Sequence, residues 1–178
     1  TPLQVGLAFL PANLIMAAMS LGLSAKIVMR WGFRGPLAVG LAIAATGLAL
    51  FARAPVGGTF VAHVLPGMLL LGVGAGIAFN PLLLAAMSDV KPEDSGLASG
   101  VVNTAFMMGG SLGLAVLASL AAGRSAALQA AGASPAVALN GGYQIAFAVG
   151  ALFALTAAAL GAYFMRNAAV TGEVQAHG

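Results

Sequence analysis

The chain has 178 residues, of which 61% are apolar and only 6% charged, and its mean hydropathy is +1.02. A water-soluble domain carries charge on about a quarter of its residues, so a soluble globular fold is excluded. Seven basic and four acidic residues with no basic stripe exclude a nucleic-acid surface, and the absence of cysteine excludes disulfides and thiolate metal sites.

The charges lie in short segments between long neutral runs. A charge at the bilayer centre costs about 2.5–3.5 kcal/mol on insertion scales, and an apolar run of about 18 or more residues crosses a hydrocarbon core about 30 Å thick. Each neutral run therefore predicts one membrane-spanning helix. The first span covers about 3–25, and a basic loop with Lys26, Arg30, Gly32 and Arg34 follows. The second covers about 36–52 and ends at Arg53, Pro55, Gly57 and Gly58, which break helices. The third covers about 59–87 and contains Pro66 and Pro81. Asp89, Lys91, Glu93 and Asp94 mark the next loop, where Pro92 and the two acids after it suit a helix start. The fourth span covers about 96–122, and residues 124–141 read as a more polar linker. The fifth covers about 142–165, so residues 1–166 form one helical bundle and 167–178 a polar tail. Continuous rather than alternating apolarity excludes barrel strands of about ten residues.

The chain does not begin with Met, begins almost inside a span and has no signal-peptide pattern, so it reads as a piece of a longer protein. Basic residues orient the spans. Lys26, Arg30, Arg34, Lys91 and Arg166 fall on one side and Arg53 and Arg124 on the other, which places the first residue outside and the last in the cytoplasm.

Three kinds of residue carry a possible function. Glycines at four-residue spacing, Gly72 with Gly76, Gly96 with Gly100 and Gly109 with Gly113, let helices approach closely when lipid supplies no hydrophobic drive. Pro11, Pro66 and Pro81 each remove a helical hydrogen bond, and interrupted helices often border substrate paths. Polar side chains concentrate in the first, third and fourth spans, which predicts that these face a polar interior while the second and fifth are peripheral. Asn13, Asn80 and Asn103 are the pathway candidates, with Phe79, Phe106 and Met107 as an adaptable apolar lining. His63, near the outer end of the third span, reads as an interfacial histidine. The glycine run 72–76 is not a dinucleotide fingerprint, because it sits inside an apolar helix with no strand before it. No pattern of catalytic residues and no cofactor site is expected.

The stretch Thr1–Pro11, TPLQVGLAFLP, resembles an SPLQAGLAFLP-like segment of the drug:proton antiporter group with fourteen spans (the EmrB/QacA-like permeases) of the major facilitator superfamily. The run Gly72–Pro81, GVGAGIAFNP, resembles that group's GxGxGxxFxP stretch, and GLASGVVNT at 96–104 with GGSLGLA at 109–115 resembles another of its signatures. The likeness covers about residues 1–165. It implies an all-α membrane protein whose five helices form most of a C-terminal six-helix bundle. It also implies that the first, third and fourth spans line a central cavity. There are departures: Met29 stands where the loop signature has an acid, and Phe106-Met107 stand where related sequences often carry Arg-Gln.

The implied function is proton-coupled efflux of a small apolar or cationic molecule by alternating access. The implied partners are the lipid bilayer, protons and the N-terminal helices of the same protein, and the implied location is a bacterial inner membrane. The alternatives are a transporter of another substrate class, such as a sugar or metabolite, and a non-transport scaffold subunit. The scarcity of charge and hydrogen-bonding groups argues against a sugar site.

Overall fold

The structure is a computed structural model and describes residues 10, 13–18, 27, 30 and 32–164. Most of the first expected span, Pro11 with it, and the tail lie outside the described residues, although 13–18 are helical. Among the described residues there is no strand, and four helices are long and apolar enough to cross a membrane. Helix α1 is Arg34–Phe51. Helix α2 is Leu65–Met87, continuous with a π-helical turn at Phe60–Val64. Helix α3 is Ser95–Ala130, led in by a 3-10 turn at Pro92–Asp94, and α4 is Pro135–Phe164.

Two helix ends differ from the sequence expectation. Residues 123–130 continue α3 instead of forming a linker, because the run GRSAALQA is rich in strong helix formers. Helix α3 thus has 36 residues, about 54 Å at 1.5 Å per residue, well beyond a hydrocarbon core of about 30 Å. It stops at Gly132, whose φ of 87° is a left-handed conformation that favours glycine. Helix α4 starts at Pro135, seven residues before the expected 142. Ser134 caps it: its hydroxyl accepts from the Val137 N–H at 3.5 Å, and Pro135 occupies the first helical position, where no N–H is needed.

Pro66 also sits differently. It is exposed at the start of regular α2, directly after the π-helical turn, and not within a continuous α-helix. The turn is closed by the Leu65 N–H donating to the Phe60 carbonyl, so the missing proline N–H falls where the hydrogen-bond ladder changes step. Pro81 does lie inside α2 and is one of the most deeply buried side chains.

Helix α1 is the hub. It packs against both α2 and α4, while α3 rests chiefly on α4 and touches α2 sparingly. Pro36, Leu37, Gly40, Ala44, Ala45 and Gly47 of α1 are buried. The α1–α2 contact is a crossing of small residues. A Cβ on Gly74 would lie 2.5 Å from both the Ala44 nitrogen and the Gly40 carbonyl oxygen, and one on Gly47 would lie 2.7 Å from the Gly67 carbonyl oxygen. Gly72 and Gly76 are also buried, whereas Gly96, Gly100, Gly109 and Gly113 on α3 have no neighbour within 4 Å of a Cβ position.

Gly74→Ala should therefore force the two backbones apart and destabilise the full-length protein by about 1–3 kcal/mol, the usual range for overpacking. Gly35→Ala, where a Cβ meets nothing within 4 Å, should change stability by less than about 0.5 kcal/mol. Thermal unfolding in detergent micelles checks this pair, and equal unfolding temperatures for the two variants would contradict it.

Candidate functional site

Two separate regions collect the residues singled out from the sequence. The first is a wall formed by α2 and α3. Phe79 and Phe106 meet edge to face, with ring centroids 6.1 Å apart and planes at 79°, an arrangement that aromatic quadrupoles favour. Asn80 follows Phe79 and is half-buried. Asn103 lies three residues before Phe106, hence on the same side of α3, and it is exposed, as are Phe106 and Met107. The wall thus joins the Asn103 carboxamide to an aromatic pair shared by α2 and α3, and α3 has no buried residue along its 36 positions.

The hydroxyl groups do not contribute to the wall in the way their number suggests. Ser99 donates to the Gly96 carbonyl at 2.9 Å, Thr104 to Gly100 at 2.8 Å and Ser111 to Met107 at 2.9 Å, all within α3. Thr46 on α1 and Thr156 on α4 bond back to their own helices in the same manner. A hydroxyl that is satisfied within its own helix can face lipid as readily as water.

The second region is a pocket of about 510 Å³ between α1, α2, α4 and the segment 13–18. Asn13 lies here, apart from the other five pathway candidates. Phe51 of α1 and Phe147 of α4 form one side, with ring centroids 5.1 Å apart. Asn140 and Gln144, one turn apart on α4, both donate to the Ala54 carbonyl, at 3.2 and 3.0 Å. That oxygen lies just past the end of α1, where no helical N–H follows to meet it. The two amides tie the start of α4 to the end of α1.

Asn140 is not a sequence candidate because 124–141 reads as a linker, and Tyr143, inside the expected fifth span, carries no signal in sequence that sets it apart. The i, i+4 spacing of Asn140 and Gln144 would have placed both on one face, had Ser134-Pro135 been read as a helix start. The expectation that the second span is peripheral also changes within the described residues, since α1 is as enclosed as α2 and lines this pocket.

The remaining candidates are spread out. His63 is half-buried, its Nδ1 3.3 Å from the Thr59 carbonyl, and it borders a cavity of about 160 Å³ with Arg53. Arg30 is helical and exposed, Arg34 is exposed at the first position of α1, and Gly32 in the turn between them has φ 71°. No group of three or more His, Asp or Glu side chains capable of holding a metal occurs among the described residues.

Residues 1–114 match the Major Facilitator Superfamily. The chain is 38% identical over 160 residues to the puromycin resistance protein pur8 of Streptomyces alboniger, covering 85% of this chain and 32% of that protein. It is 33% identical over 114 residues to the cephamycin export protein CmcT of Amycolatopsis lactamdurans (64% and 24% covered). It is 37% identical over 123 residues to a lincomycin resistance protein of Streptomyces lincolnensis (67% and 24%). The chain spans about a third or less of the length of these relatives. No solved structure matches.

Because two amides share the Ala54 carbonyl, replacing one leaves it satisfied by the other. Gln144→Leu alone should cost less than about 0.6 kcal/mol, and Asn140→Leu with Gln144→Leu should cost more than the sum of the single changes. A double-mutant cycle on thermal unfolding of the full-length protein measures this, and strict additivity would contradict the shared acceptor.

Proposed function

The chain belongs to the Major Facilitator Superfamily, and on that premise we propose that it is the C-terminal part of a drug exporter of the bacterial inner membrane, driven by proton antiport. The observation that carries the reading is α3, a long apolar helix with no buried residue that rests on one side against α4 and presents Asn103 beside the Phe79–Phe106 pair. An uncovered helix in an otherwise packed bundle is what one wall of a central cavity presents when the opposite half of the transporter lies outside the chain. Names of the relatives that refer to antibiotic resistance and export support an efflux direction and a small organic substrate.

In this reading two helical halves rock about a midplane site and open it to each face in turn. The wall supplies aromatic and thioether surface that adapts to varied ligands, and Asn103 supplies one directional contact. Its lack of charge suits apolar molecules or delocalised cations. Of the four acidic residues, Asp89, Glu93 and Asp94 lie in one loop or at its edge and Glu173 follows the last span in the sequence, so the carboxylate that exchanges protons belongs to the part of the protein outside this chain.

Charge sets the orientation. Asn140 and Gln144 reach Ala54, so the 52–59 and 131–134 turns share one end of the bundle. That end carries Arg53 and is the outer one, because Arg30, Arg34 and Lys91 lie toward the other. The first residue is then outside and the last cytoplasmic.

Replacing Asn103 by Ala in the full-length protein should lower drug efflux about threefold to tenfold, the equivalent of one hydrogen bond, at unchanged protein level. Accumulation of a fluorescent drug in energised cells, set against immunoblot level, reads this. Unchanged efflux would remove Asn103 from the pathway.

A further inference from the structure

We infer that the pocket between α1, α2 and α4 is a second binding site, distinct from the wall, that takes a neutral apolar ligand. Its volume of about 510 Å³ lies within the 300–1,000 Å³ range of sites for drug-sized molecules. None of Phe79, Asn80, Asn103, Phe106 or Met107 lines it. Four separate segments of the chain enclose it, so it is a built concavity and not a single uncovered helix face.

The lining specifies the ligand. Phe51 and Phe147 form an aromatic side already set by their own contact, and Met16 and Met68 provide flexible thioethers that adjust to shape. Among the described lining residues there is no Asp, Glu, Lys, Arg or His. A cation entering such a pocket would lose its hydration with no opposite charge to offset the loss. A neutral molecule meets no such penalty. Asn140 fixes polarity at one point: one of its N–H groups is committed to Ala54, and the carboxamide carries a further N–H and an acceptor oxygen. Tyr143, which also lines the pocket and is 52% exposed, marks its accessible edge.

The site therefore selects on charge, and it binds without requiring turnover. It stands independently of the transport reading. The same chemistry suits a dissolved aromatic molecule or the acyl tail of a lipid.

The test uses the full-length transporter in liposomes, with Tyr143→Cys in a background free of other cysteines, and follows the rate of maleimide labelling at that position. Nile red, neutral and aromatic, should slow labelling about fivefold at about four times its Kd. Ethidium, a cation of similar size, should leave the rate unchanged. Ala75→Phe fills the pocket from α2 and should abolish protection by Nile red. Leu48→Trp, which fills it from α1, should do the same and serves if the first variant does not fold. Slow labelling in liposomes that becomes fast in detergent with no dye present would identify a lipid tail as the resident occupant and would support the site. No effect of Nile red together with equal rates in lipid and detergent would overturn the proposal, as would equal protection by ethidium. Efflux of ethidium measured in the same variants keeps a failure here separate from a failure of the transport reading.

Discussion

The close crossing of α1 and α2 sets everything else in place. In lipid there is no hydrophobic gain from bringing two apolar helices together, so association rests on how much surface the backbones can touch. Gly40, Ala44 and Gly47 face Gly67, Gly74 and Ala78 so tightly that a single added methyl would collide with main-chain atoms. That contact fixes the rotation of α2 about its axis, and with it the direction in which Phe79 points toward α3. It also fixes the end of α1, where Ala54 offers its carbonyl to α4. The wall and the pocket are thus two consequences of one packing event, with separate linings.

The handling of polar groups separates the wall proposed to border the transport path from the parts that hold shape. Hydroxyls on α1, α3 and α4 are spent within their own helices. Carboxamides cannot be satisfied so simply, and the chain uses them in two ways. Asn140 and Gln144 close a helix end, which is a structural duty. Asn103 stands exposed on a helix with no buried residue, where a neutral directional group is available to something outside this chain. The absence of charge from both regions lets each meet apolar molecules without desolvating an ion.

Much of this was legible in the sequence, and the failures have physical causes. The four described spans and the loop at 88–94 follow from the cost of placing charge in hydrocarbon, a strong and local signal. The family followed from short glycine- and asparagine-bearing stretches. Spacing reveals the glycine contacts only in part: Gly96, Gly100, Gly109 and Gly113, spaced at four, have nothing within 4 Å of a Cβ position among the described residues, while Gly40, Gly47, Gly67 and Gly74, spaced at seven, make the tight crossing. Which face of a helix meets a partner is a tertiary property, and one helix alone does not reveal it. Counting hydroxyls as polar overstated the contrast between spans, because local back-bonding neutralises them. Residues 124–141 read as a linker because a few polar residues stand out, whereas a helix-forming alanine run and a Ser-Pro start decide the structure there.

The central claim is that α3 borders a water-accessible transport path. It is tested most directly by placing single cysteines from Gly96 to Gly113 in the full-length protein in liposomes and measuring labelling by a membrane-impermeant thiol reagent. Labelling that peaks at Ser99, Asn103, Phe106 and Gly110, one face of the helix, and is suppressed by a transported drug is the predicted result. Labelling absent throughout, or strongest on the opposite face at Val101, Ala105 and Leu112, would contradict it.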